Sequence, residues 1–89
     1  MKAIVTVSGK DKTGIIASVT AQLSEHGINI LDISQTVLQD YFAMIMLVDL
    51  SGCNVDFSDL EAALAREGRN MSMDVRIMRE EIFDAMHRL

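Results

Sequence analysis

The sequence predicts an α+β sandwich: a four-stranded antiparallel sheet with two helices on one face and a short helix added at the C-terminus. Three observations predict it. The apolar periodicity switches in the order strand, helix, strand, strand, helix, strand. The run Phe42 to Val48 is apolar on both faces, as a central strand is. Turn-forming residues stand at the switches: Gly14, Gly27, Gln39-Asp40, Gly52 and Gly68.

Ala3-Ile4-Val5-Thr6-Val7 is short and β-branched and reads as the first strand. Ile15 to His26 reads as the first helix, with Ile16, Val19 and Leu23 as its buried stripe and Ser18, Gln22 and Glu25 facing outward. Gly27 is the stop, in a left-handed C′ position. Ile28 to about Gln39 is a long strand interrupted by Asp32, Ser34, Gln35 and Thr36, a mixture that suits a sheet edge. A tight turn at Gln39-Asp40 leads into the third strand, which ends near Leu50. Its Phe42, Met44, Met46 and Val48 share one face, and Ala43, Ile45 and Leu47 the other.

The second helix starts between Asp56 and Ser58, where Ser58 and Glu61 have capping-box spacing, and Gly68 ends it. Leu60, Ala63 and Leu64 are its buried face. Ser72 to Met78 alternates Met73, Val75 and Ile77 with polar residues and reads as a strand wet on one side. A last helix begins near Glu80, with acids first and His87 and Arg88 at its end, as the helix dipole favours. Its stripe of Ile82, Phe83, Met86 and Leu89 must dock. The order is βαββαβ, the ferredoxin-like pattern, which places strands one and three at the centre. The second face of that sheet then needs the third helix, a second subunit or both as cover, so self-association is expected.

Eighty-nine residues allow one domain. Area scaling gives a folded surface of about 5,200 Å², leaving a thin two-layer core. An apolar content of 49% is generous for that size and points to surface covered by a partner. A net charge of −5 with scattered lysines and arginines argues against a nucleic-acid surface. The one cysteine, Cys53, excludes an internal disulfide and a Cys-based metal cluster. The N-terminal apolar run is too short for a secretory signal, and no run nears the roughly 20 residues of a membrane span. A cytoplasmic protein without cofactor is the expectation.

The stretch Val7-Ser8-Gly9-Lys10-Asp11-Lys12-Thr13-Gly14-Ile15-Ile16 stands out. It joins an apolar strand to an apolar helix with two glycines, two lysines, an aspartate and a threonine between them. The first turn of the helix offers unpaired N–H groups suited to a carboxylate, and Gly14 lets backbone come close. Asp11 and the side-chain oxygen of Asn29 are acceptors for an ammonium. Read from the residues alone, Asp11, Thr13 and Gly14 favour a structural role, turning the chain and capping the helix, and Asn29 is equally open to bonding its own backbone. His26 and His87 sit at helix ends, where the dipole explains them. No pair among His26, Cys53 and His87 has metal-ligand spacing. The seven methionines fill gaps in a core or an adaptable interface. Asp59, Glu61 and Glu67 read as a solvated helix face.

The βαββαβ order, the turn Gly9-Lys10-Asp11-Lys12-Thr13-Gly14-Ile15 and the segment Gly27-Ile28-Asn29-Ile30 resemble an ACT domain. The resemblance covers nearly the whole chain, with residues 1–79 as the domain and 80–89 as a helical extension. It is nearest to small stand-alone ACT proteins similar to the glycine cleavage system transcriptional repressor. The resemblance implies a regulatory module that binds a small molecule, usually an amino acid, between paired domains. The turn of one domain then meets strand two of its neighbour. Carried over, Asp11, Thr13, Gly14, Ile15, Asn29 and Ile30 are the ligand-binding candidates. Many such turns hold a proline before the glycine; here the residue is Thr13, able to cap the helix.

Other readings of the architecture fare worse. Acyl-phosphate hydrolases of this fold need an arginine in the first turn, which has only lysines, and no nucleophile–base pair is present, so no enzyme is expected. RNA binding needs aromatics on the central strands, and strand one has none. The alternative to a sensor is a ligand-free adaptor that acts as a homodimer and engages a protein partner through its exposed edge or third helix.

Overall fold

The computed structural model describes residues 1–87. The elements are β1 (Lys2–Lys10), α1 (Ile15–Glu25), β2 (Asn29–Leu38), β3 (Tyr41–Asp49), α2 (Phe57–Asn70), β4 (Met73–Arg79) and α3 (Glu80–Met86). The four strands form one antiparallel sheet in the order β2-β3-β1-β4. β1 and β3 are central, as expected, and β2 and β4 are edges. Val5, Val7, Met46 and Val48 on the helix-facing side of the sheet, with Val19, Leu23, Leu60 and Leu64 from the helices, are almost fully buried and form the core. Among the described residues no helix is long and apolar enough to cross a membrane.

The expected αL stop after α1 is present. Gly27 has φ 73°, its N–H donates to Ser24 O at 3.0 Å, and Ile28 N–H donates to Leu23 O at 3.0 Å. This is a Schellman closure.

Several expectations are corrected. β1 continues through Ser8, Gly9 and Lys10, which pair with Ala43, Phe42 and Tyr41. Backbone pairing extends the strand where its side chains turn polar. The buried stripe of α1 is Ile15, Val19 and Leu23, while Ile16 is exposed. Ser18 and Gln22 are half-buried and face α2, where Ser18 Oγ donates to Glu67 Oε1 at 2.6 Å and Gln22 Nε2 to Oε2 at 3.4 Å. Glu67 is therefore part of a polar seam between the helices. Asp56 is the N-cap of α2, with no side-chain cap bond, and Ser58 already lies inside the helix, so the capping box is not made. The apolar stripe of α3 does not dock as a unit. Phe83 is half-buried, Ile82 and Met86 stay exposed, and Arg88 and Leu89 fall outside the described residues.

Gly68 does not end α2. It is buried inside the helix where α2 presses on β4, and a Cβ there would lie 2.7 Å from Met73 O and 2.8 Å from Val75 Cγ2. Alanine normally gains about 1 kcal/mol over glycine in a helix. Here the overpacking outweighs it, so Gly68→Ala is expected to lose about 1–3 kcal/mol in urea unfolding. A more stable variant would refute the close approach.

After β3, Asp49 Oδ1 accepts from Ser51 Oγ at 2.7 Å and from Ser51 N–H at 2.9 Å. These bonds, the side-chain one first, hold the Asp49 carboxyl below its ordinary 3.8. A depressed carboxyl stabilises the fold above its unfolded pKa, and that contribution fades as pH falls through the lowered value.

Candidate functional site

The turn proper is Asp11–Gly14. Asp11 N–H donates to Asp40 O at 2.7 Å, which ties the turn to the β2–β3 hairpin. Gly14 is the N-cap of α1 at φ 90°, ψ 2°, a left-handed conformation open to glycine. No side chain caps the helix, and its first turn carries no acid. Thr13 therefore does not take the capping role that its position offered. The opening amides of α1 keep their partial positive charge, and Lys12 adds a full one nearby.

A cavity of about 360 Å³ lies over this turn. Asp11, Lys12 and Gly14, with Ile15, Ile16 and Ala17 at the start of α1, make one side. Gln35 and Val37 of β2 and Phe42 of β3 make the other. Asp11, Gly14 and Ile15 are thus brought together, whereas Thr13 is exposed and outside the lining. The arrangement sets hydrogen-bond donors (Lys12 and the helix amides) and acceptors (Asp11 and the Gln35 amide oxygen) around an apolar wall.

Asn29 and Ile30 lie elsewhere. They pair with Asp49 and Val48, at the end of the sheet where Lys2 pairs with Asp49. The turn leaves the sheet at the opposite end, where Lys10 pairs with Tyr41. Eight residue steps of strand separate the two ends, about 26 Å. One chain therefore does not unite the six candidates. A register shift between Ile30 and Asp32 marks a β-bulge near that end of β2.

Gln35 and Val37 were missed among the sequence candidates, although a signal existed. A two-residue turn at Gln39-Asp40 pairs Val37 with Phe42 and Gln35 with Met44. Phe42 and Met44 belong to the core face, so Gln35 and Val37 must share the α1 side. Among the described residues no group of three or more His, Cys, Asp or Glu side chains could hold a metal ion.

A family model described as the ACT domain matches residues 2–78. A UPF0237 protein of Clostridium acetobutylicum is 52% identical over 89 residues, covering 100% of both chains. The structure of an ACT domain protein from Streptococcus pneumoniae is 45% identical with a TM-score of 0.83, covering 98% of each chain. A candidate glycine cleavage system transcriptional repressor superposes with a TM-score of 0.76 at 23% identity, over 88% of this chain and 43% of that one, a likeness of fold.

Proposed function

The chain belongs to the ACT-domain family, whose members are regulatory modules, and on that premise we propose that it is a non-catalytic sensor that binds an amino acid between two copies of itself. On this reading residues 1–79 form the sensing domain and the segment from residue 80, helical over Glu80–Met86, is its extension. The observation that carries the reading is the cavity over the turn, with an uncapped helix start on one side and the β2 edge on the other. An amino-acid carboxylate fits the amides of Ile15 to Ala17 and Lys12. Its ammonium fits Asp11 and the Gln35 oxygen, and an apolar side chain fits Val37 and Phe42.

The edges of the sheet support the pairing. β4 carries Asp74, Arg76 and Arg79 in seven residues, charges that discourage strand addition. β2 has ten residues, one charge, no lysine and no proline, and exposes Leu31, Ile33, Val37 and Leu38. The accessible surface, 5658 Å², also exceeds the roughly 5,200 Å² expected for a monomer of this mass. In an antiparallel pairing of two β2 strands about a two-fold axis through Ile33, Asn29 of one copy lies opposite Val37 of the other. Asn29 and Ile30 then reach the end of the sheet that holds the second copy's turn, and the six sequence candidates gather at one interface.

A thermal-shift screen of the proteinogenic amino acids tests the sensor. A ligand at 100 times its Kd adds about 2.7 kcal/mol, a rise of roughly 10–20 °C for a domain of this size. Asp11→Ala is expected to remove that rise while leaving the ligand-free melting temperature within a few degrees. A flat screen would overturn the sensor in favour of the ligand-free adaptor, a reading that the exposed Ile82 and Met86 of α3 favour.

A further inference from the structure

A second cavity lies at the open edge of β4 and shares no residue with the turn. Its volume is about 500 Å³, within the range of small-molecule sites. Ile4 and Thr6 of β1, beside their cross-strand partners Met78 and Arg76, form its floor. The cavity curves round the β4 edge: Phe83 and His87 at α3 flank this floor, and Glu61 of α2 lies on the helix-facing side of the strand.

The charges are unequal. Arg76 Nε bonds both carboxylate oxygens of Asp74, at 3.2 and 3.0 Å, so that pair cancels. The Glu61 carboxylate enters no ion pair among the described residues. With His87 neutral, the lining carries one net negative charge, on a chain whose total is −5. His87 stacks on Phe83 with ring centroids 4.2 Å apart and planes 26° apart. Its Nδ1–H donates to Phe83 O at 2.8 Å, so Nε2 is left as an acceptor. The cavity thus combines a floor of mixed polarity with Ile4 and Met78 as its apolar part, a flat aromatic wall, a carboxylate with no ion-pair partner among the described residues, and an imidazole acceptor. The complement of that set is a flat ring bearing a cationic nitrogen, drawn by the carboxylate and by the face of the aromatic pair.

We propose that the cavity between α2, α3 and the β4 edge binds a small organic cation with a flat ring. Tryptamine is a suitable probe, and tryptophol, with a hydroxyl in place of the ammonium, is its neutral control. In amide NMR titrations of the full chain, tryptamine is expected to shift Thr6, Arg76, Phe83 and His87 in a saturable manner. Tryptophol is expected to bind about tenfold more weakly, the scale of one charge-assisted hydrogen bond. Glu61→Gln, on an exposed helix position, is expected to erase most of that difference. Equal affinity for the two probes, shifts centred on Asp11 to Ala17, or no saturable shift would each overturn the proposal. Because the two cavities are separate, these outcomes are independent of the amino-acid screen.

Discussion

Gly27→Ala is expected to lower the stability of the fold by about 3 kcal/mol, a fall in melting temperature on the order of 15 °C. Two costs combine. The residue sits at φ 73°, where an L side chain costs about 1–2 kcal/mol. The new Cβ would also collide with the carbonyl oxygen of Gly52, a backbone atom that cannot rotate aside. The loop around Gly52 has little room to retreat. Asn54 N–H donates to His26 O at 3.1 Å, and Asn54 Nδ2 donates to Glu25 O at 3.2 Å. The approach is mutual, since a Cβ on Gly52 would lie 2.8 Å from Gly27 O. Thermal unfolding of the single variants and of the double variant checks this. The double is expected to cost less than the two losses added, because both substitutions open the same contact. A loss below about 1 kcal/mol for Gly27→Ala would show that the loop yields freely.

If two copies pair through β2 as proposed, the double substitution Ile33→Lys and Val37→Lys is expected to leave a monomer, raising the dimer Kd about 100-fold or more. Both side chains are substantially exposed in the single chain, at 43% and 53%, so the monomer fold loses little by the change. With the axis through Ile33, the two ammonium groups introduced at position 33 would face each other, and those at position 37 would lie on the same face of the short ladder. Like charges facing each other on a sheet are destabilising by up to about 1 kcal/mol per pair, before the cost of drying them. Sedimentation equilibrium between 1 and about 100 times the wild-type Kd reads the change. A variant that still pairs as tightly as the wild type would place the interface elsewhere. The variant should also lose the stabilisation by an amino acid, both because Val37 belongs to the apolar wall of the cavity and because Asn29 and Ile30 of the second copy are then absent from the site.

Much of the fold is legible in the periodicity. The alternation of Met73, Val75 and Ile77 reports burial directly, and the structure has it; β3 is central as its apolar run implied, but only Phe42, Met44, Met46 and Val48 are buried, while Ala43 and Ile45 stay exposed in the single chain. The misses have physical causes. Ile15 and Ile16 are adjacent and equally apolar, so the helical period admits two stripes, and only the angle at which α1 leaves the turn chooses Ile15. Ser8-Gly9-Lys10 joins β1 through backbone pairing, to which side-chain polarity is blind. Ser58 and Glu61 have the spacing of a cap, but the helix begins one residue earlier, at Phe57. In the candidate site, the dense glycine and charge of the turn were conspicuous, and Asp11, Gly14 and Ile15 do share a cavity. Gln35 and Val37 were hidden because nothing in their own neighbourhood marks them. They emerge only when the hairpin register is carried over from β3.

The bond from Asp11 N–H to Asp40 O has a consequence for dosage. It fastens the turn to the hairpin that carries β2, so a ligand that stilled the turn would also still the strand of the proposed pairing. Linkage is reciprocal: if ligand tightens pairing, pairing tightens ligand by the same factor. The half-saturating amino-acid concentration would then drift with the number of sensor molecules in the cell. A cell making more of this protein would detect a scarcer nutrient, with no change in any residue.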